Sequence, residues 1–326
     1  MSPATVVGLD AAAVAAWLAE DAGLREPVAF ARIGQGQSNL TFLATDADGR
    51  RVVLRRPPLG DLLASAHDVA REHRILSALA GTGVPIPPVV AFTDDPAVTD
   101  VPLLAMGFVD GWVVEDPAAV DERVALALPR ALATIHAVDL EEIGLLDLAS
   151  HKPYAARQLK RWRRQWEDSA TRSLPVVGEL ADRLEAAMPQ QRELTLVHGD
   201  FHVLNVILAP DGSTVRAILD WELCTLGDPL ADLGGLMAYA SPTLTGIAAP
   251  AVLADEYMKA SGREVTAAAL AFWHALGLWK IAVIVEGVRR RALDDPRNAP
   301  DGGVPAAHVV DDLIAQARLV AFEAGF

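Results

Sequence analysis

Two patterns of hydrophobic periodicity meet near residue 110, and no single-layer architecture accommodates both. Before it, short runs of β-branched and aromatic residues at 28–33, 40–45, 51–56, 89–92 and 102–108 are separated by turn residues such as Asp46-Ala47-Asp48-Gly49. That pattern predicts a mostly antiparallel sheet. Two amphipathic helices accompany it, one at 10–22 with Asp10 as its cap and Val14, Trp17 and Leu18 on one face, the other at 68–79 with Val69, Ile75, Leu76 and Leu79 on one side. Pro57-Pro58 ends the third strand, and Pro85–Pro88 forms a rigid connector. Past Val109-Asp110-Gly111 the period becomes helical, at about 117–137, 153–170, 176–188, 248–261, 266–292 and 305–323. Two β-rich runs interrupt it at 203–208 and 215–219, joined by a Pro210-Asp211-Gly212 turn. The expected fold is α+β and bilobal: a small sheet lobe over residues 1–110 and a larger, mainly helical lobe over 111–326.

Composition narrows the partners. With 326 residues the chain can bury a substantial core, and no uninterrupted apolar run reaches the roughly 20 residues of a membrane span. Asp10, Glu20 and Asp21 lie in the Ala-rich N-terminal stretch, unlike a signal peptide, so a soluble, cytoplasmic protein is expected. A formal charge of −15 repels a phosphate backbone, which argues against nucleic acid. The single cysteine, Cys224, allows neither an internal disulfide nor a cysteine metal cluster. Nothing in the sequence specifies an oligomeric state. The segment 294–305, rich in Asp, Pro and Gly, is the expected mobile loop.

The residues with most chemical potential fall in Leu196-Val197-His198-Gly199-Asp200-Phe201-His202-Val203-Leu204-Asn205 and Ala217-Ile218-Leu219-Asp220-Trp221-Glu222. Phosphoryl transfer asks a protein for an oriented hydroxyl, magnesium on the phosphates and positive charge near the nonbridging oxygens. Asp200, on a loop after an apolar strand, can accept the hydroxyl proton, while Asn205 and Asp220 offer the hard oxygen donors that suit magnesium. The 203–219 hairpin would bring these two together. Taken singly, each acid reads as an ordinary turn residue; the joint spacing carries the functional reading. Glu222 would touch substrate or a second magnesium, or face solvent.

His-Gly-Asp, four residues, Asn, then Ile-Leu-Asp resembles the motif of the aminoglycoside phosphotransferase and choline kinase-like family, which shares the protein-kinase fold. The resemblance implies Asp200 as catalytic base and Asn205 and Asp220 as Mg2+ ligands, with His198 bracing the loop. In Gly227-Asp228-Pro229-Leu230-Ala231-Asp232, Asp232 matches a carboxylate that supports the catalytic loop, and Asp228 is read as a helix cap. Upstream, Ile33-Gly34-Gln35-Gly36-Gln37-Ser38 looks like the phosphate-cradling glycine loop, with Gly34, Gly36 and Ser38 as its contacts. Arg55, at the end of the third strand, and Glu72, on the following helix, match the basic residue that touches ATP and its carboxylate partner. Most such enzymes have lysine at this point, and an arginine fork is not its equivalent. Arg56 competes for the role, but strand alternation turns it to the opposite face. Leu103–Gly111 looks like the hinge, implying adenine contacts from the backbones of Gly107 and Val109, with Met106 lining the pocket.

Val-Leu-Arg, Pro-Pro and Gly-Gln-Ser-Asn make the chain most similar to the kinase-like domain fused to acyl-CoA dehydrogenases in animals. The expected activity is ATP- and magnesium-dependent transfer to a hydroxyl of a small molecule. The fused-domain subgroup implies a hydroxyacyl acceptor, the broader family an aminoglycoside, a sugar or choline. A nucleotide-binding pseudokinase scaffold is the alternative of another class. Acceptor specificity belongs to the helical lobe, where Arg157, Arg161, Trp162, Trp166 and Glu167 on one helix and Trp273, His274, Trp279, Lys280 and Glu286 on another have spacings able to line a cleft. Trp273 and Trp279, like His136 and His274, read more simply as core.

Overall fold

The structure, a computed structural model, describes residues 6–34, 39–59, 68–116, 119–150, 152–295, 299–300 and 303–326. The chain forms two compact units, one of residues up to Gly111 together with Arg216–Glu222, the other of Trp112–Val215 with Leu223–Phe326.

In the first unit, β1 (Ala29–Ile33), β2 (Leu40–Thr45), β3 (Arg51–Arg56), β4 (Val89–Thr93) and β5 (Leu103–Gly107) make an antiparallel sheet of order β1-β2-β3-β5-β4. Strict alternation along β2 and β3 buries Phe42, Ala44, Val52 and Leu54 on one face, against Val14, Trp17 and Leu18 of α1 (Ala11–Asp21). Burial of each such large side chain contributes about 1.5–3 kcal/mol. Asp10 caps α1 by accepting from the Ala12 and Ala13 amides. Helix α2 (Val69–Leu79) buries Val69, Glu72, Ile75, Leu76 and Leu79, so one acid shares its apolar stripe. The segment Arg216–Glu222 is tied to this unit by the Ile218 amide, which donates to Pro85 O at 2.8 Å.

The second unit is built on α3 (Glu122–His136), α4 (Tyr154–Ser169), α5 (Pro175–Ala186), α6 (Leu230–Tyr239), α7 (Pro250–Ser261), α8 (Ala267–Asp294) and α9 (Ala307–Glu323). Helix α3 starts later than its sequence pattern suggests because Asp121 caps it, accepting from the Arg123 and Val124 amides. Among the described residues α8 alone has the length and hydropathy of a membrane span, yet it carries fully buried Glu286 and packs on α4, α6 and α9. Helices α6 and α8 cross backbone to backbone: a Cβ on Gly234 would stand 2.3 Å from Trp273 O, and one on Gly277 2.6 Å from Gly234 O. No other residue fits at that crossing. Short strands β6 (Thr195–Val197) and β9 (Thr225–Gly227) pair antiparallel, placing the loop after β6 beside α6. The strands expected at 203–208 and 215–219 are Val206–Leu208 (β7) and Val215–Ile218 (β8), the first shortened because residues 203–205 wind into a single 3₁₀ turn. His202 causes this: its ring nitrogen accepts from the Leu204 amide, and its carbonyl from the Asn205 amide. The expected mobile loop includes 296–298 and 301–302, outside the described residues.

Candidate active site

In the second unit the chemistry gathers on the loop after β6. Gly199 has φ 86°, a left-handed conformation, and a Cβ there would lie 2.8 Å from Leu223 O. Buried Asp232, in the first turn of α6, accepts from the His198 amide at 2.6 Å and the Gly199 amide at 2.8 Å, the loop-supporting arrangement anticipated for it. His136 Nε2 lies 3.3 Å from the same carboxylate, and its Nδ1 is 2.7 Å from the Tyr257 hydroxyl. His136 is therefore a partnered core histidine. Burial pushes the Asp232 carboxyl up, but His136 and the loop amide outweigh it and leave it below the usual range.

Asp200 follows on this fixed turn. Asn205 Nδ2 donates to Asp200 O at 2.9 Å and to Asp200 Oδ2 at 3.3 Å, the Tyr239 hydroxyl donates to Asp200 Oδ1 at 3.0 Å, and His202 Nε2 stands 3.6 Å from Oδ2. Burial alone would raise this carboxyl; His202 first, then Lys280 and His198, hold it instead well below the ordinary range. Asp200 is thus an oriented, ionised carboxylate. With its nitrogen engaged, Asn205 keeps its amide oxygen available as a ligand. Asp200 lines a cavity of about 30 Å³ with Tyr154, Trp162, Tyr239, Trp273 and Lys280.

The first unit holds the other cluster. Arg55 Nε is 2.9 Å from Glu72 Oε2, ion-paired but off the line of a hydrogen bond, and Arg55 Nη2 is 2.5 Å from Asp220 Oδ1 and 3.8 Å from Glu222 Oε2. The Trp221 amide donates to Glu72 Oε1, Asn39 Nδ2 to Glu222 Oε2, and Arg71 to the Glu222 carbonyl. Burial, opposed by Arg55, raises the Glu72 carboxyl to about 7. Asp220 is in the left-handed region, φ 65°, alone among described non-glycine residues; aspartate tolerates this better than most, and functional sites collect such strain. Arg56 does point the other way, bonding Gly8 O and Asp100.

Of the remaining expected positions, Gly34 has φ 72° with open space where a side chain would be, and Gly36 and Ser38 lie outside the described residues. Met106 and Gly107 end β5, and the Gly107 amide donates to Pro88 O. A Cβ on Gly107 would meet the Pro88 ring at 2.7 Å. Val109 follows β5, near the end of the first unit's main segment. Trp279 is core, donating to Val177 O, and Glu286 accepts from the Thr171 amide and hydroxyl. Sequence reading assigned no role to His202 or Tyr239, since an ordinary histidine and a helix-terminal tyrosine carry no signal of their own. Lys280 did have one: a lone cation inside the apolar run 275–285.

The family model for the phosphotransferase enzyme family matches residues 29–273. A solved structure from Ralstonia eutropha JMP134, provisionally described as an aminoglycoside phosphotransferase, is 30% identical, covers 97% of both chains and superposes with TM-score 0.76. A thermostable mutant of aminoglycoside phosphotransferase APH(4)-Ia, in ternary complex with AMP-PNP and hygromycin B, shares the fold at 17% identity, TM-score 0.61, with 96% of this chain and 98% of its own covered. Mouse acyl-CoA dehydrogenase family member 10 is 34% identical over 82% of this chain but only 27% of its own length. The chain spans well under half of the curated relatives it matches. It belongs to the phosphotransferase enzyme family.

Proposed function

We propose that the protein transfers the γ-phosphoryl group of ATP, with magnesium, to a hydroxyl of a small molecule. Asp200 carries the reading: an ionised carboxylate held by Tyr239 and Asn205 at the wall of a cavity. A carboxylate held below its usual range is a weak base, and a loose phosphoryl-transfer transition state needs only that. Asp200 orients the acceptor hydroxyl and takes its proton as the oxygen–phosphorus bond forms and the bond to the ADP leaving group breaks.

Asp220 and the amide oxygen of Asn205 are the residues that would hold magnesium. Among the described residues no group of three or more His, Cys, Asp or Glu could hold a metal alone. Magnesium typically takes one or two protein oxygens and completes its shell with substrate phosphates and water. When bound it neutralises charge developing on the phosphates. Asp220 already faces a cation, Arg55, which marks this carboxylate as a site for positive charge. Arg55, steered by Glu72, would reach the phosphates, and the segment from Met106 to Val109 would receive the adenine. The AMP-PNP of the structural neighbour supports nucleotide use, and the acyl-CoA dehydrogenase relatives support a hydroxyacyl acceptor.

The test is incubation with Mg-ATP and a pooled panel of hydroxyacyl-CoAs, hydroxy acids, amino sugars, aminoglycosides and choline, with products read by mass spectrometry. One phosphorylated product, reduced about 10²–10⁴-fold by Asp200→Asn while nucleotide affinity holds, is the expected outcome. Turnover retained in the variant would remove Asp200 as the base.

A further inference from the structure

The cavity at Asp200 has more hydrogen-bond donors than acceptors left over. Lys280 projects from α8 and donates to Gly199 O at 2.6 Å, its one hydrogen bond among the described residues. An ammonium has three N–H groups, so two remain. The Trp273 indole N–H, in the same walls, is buried without an acceptor. Two of the strongest acceptors in the walls are taken: Asp232 by two loop amides and His136, and Gln158 Oε1 by the Trp162 indole. Asp200 retains capacity, and the proposed transfer uses it on the acceptor hydroxyl.

We infer that Lys280 is a specificity-determining residue, binding an anionic oxygen group that the acceptor carries within a few carbons of its hydroxyl. The inference rests on the proposed function, because it takes the hydroxyl to sit at Asp200. A cationic acceptor would place a second ammonium beside Lys280, whose Nζ lies 5.5 Å from the Trp162 ring centroid, is desolvated, and already supplies the positive charge that faces Asp200 and Asp232. Like charges that close, partly shielded from water, repel by several kcal/mol. Arg161 stacks at 5.0 Å on the same indole and adds to the positive field. Size points the same way. At about 30 Å³ the cavity encloses far less than the roughly 300 Å³ or more of a site for a drug-sized ligand. A space of that size beside Tyr154 and Trp162 suits the slim reacting end of a hydroxylated chain.

The experiment compares the wild type with Lys280→Met, which keeps the stem and removes the charge. The probes are 3-hydroxybutyrate, its methyl ester, glycerol 3-phosphate and 3-amino-1-propanol. Binding is followed without nucleotide by tryptophan fluorescence, and phosphorylation with Mg-ATP by mass spectrometry and initial rates. The wild type should bind an anionic probe more tightly than the ester and the amine. Lys280→Met should raise the Kd and KM of the anionic probe about tenfold or more, as loss of a hydrogen bond to a charged group implies, and leave those of the ester within about twofold. A residue that merely braced the loop would weaken both alike, and that result overturns the inference. Preference for 3-amino-1-propanol, or no binding of any probe, also overturns it. The proposed function fails separately, on absence of Asp200-dependent phosphorylation across the wider panel. A preference for glycerol 3-phosphate over 3-hydroxybutyrate would identify the group as a phosphate and not a carboxylate.

Discussion

Replacing Asp232 by asparagine tests how the catalytic loop is held. Its two oxygens accept from the His198 and Gly199 amides at 2.6 and 2.8 Å, and His136 lies against one of them. Asparagine is nearly isosteric but keeps one acceptor and turns the other position into a donor facing a backbone N–H. One charge-assisted bond becomes neutral and the other becomes a repulsion in a site 3% exposed. Breaking one side of a buried ionic network costs about 3–5 kcal/mol. At about 2–4 °C per kcal/mol for a unit of this size, the melting temperature should fall by roughly 10 °C. Differential scanning fluorimetry reads the shift, and initial rates should show kcat falling more than the KM for ATP, because the nucleotide-facing Arg55 cluster is untouched. A melting temperature within about 2 °C of wild type, with kcat unchanged, would refute the reasoning that Asp232 fixes the loop.

Arg55→Lys keeps the charge but cannot span Glu72 and Asp220 as a planar fork does, so activity should drop without vanishing. Arg55→Ala should weaken ATP binding about tenfold or more by isothermal titration; unaltered affinity would place the phosphate contact elsewhere. Burial lowers His274 from 6.5 to about 4, so the folded state stays neutral where the unfolded chain protonates. Its stabilising contribution is present above pH 6.5 and lost as pH falls toward 4, on the order of 2 kcal/mol at pH 5. His274→Gln should flatten the decline in denaturation midpoint between pH 7 and 5; an unchanged slope would assign that decline to other groups.

The sheet lobe was legible because its strands obey period two and its turns carry Asp, Gly and Pro, and the cap at Asp10 is a purely local interaction. Asp232 was legible through a motif, its partners being backbone groups that any sequence supplies. Less legible was the 3₁₀ turn at 203–205, since β-branched Val203 favours a strand until the His202 ring captures the Leu204 amide. That Arg216–Glu222 joins the first unit depends on the Ile218–Pro85 bond and the Arg55–Asp220 pair, contacts far apart in sequence. Lys280 on α8 reaches Gly199 O beside an α6 that Gly234 and Gly277 let α8 cross closely, an arrangement no local pattern encodes.

The Arg55 cluster leads to a last prediction about magnesium. Three carboxylates, Glu72, Asp220 and Glu222, face the Arg55 guanidinium, with Arg71 at the Glu222 carbonyl. A nucleotide polyphosphate brought toward these carboxylates meets repulsion at Asp220, whose partner Arg55 is already shared among three acids. A divalent ion held by Asp220 would offset that repulsion, so nucleotide and metal should bind together. ATP affinity measured by titration should fall about tenfold or more in EDTA, with Asp220→Ala abolishing the difference. Equal affinity with and without metal would mean that Arg55 leaves Asp220 for the phosphates unaided, and the magnesium role assigned to Asp220 would fall.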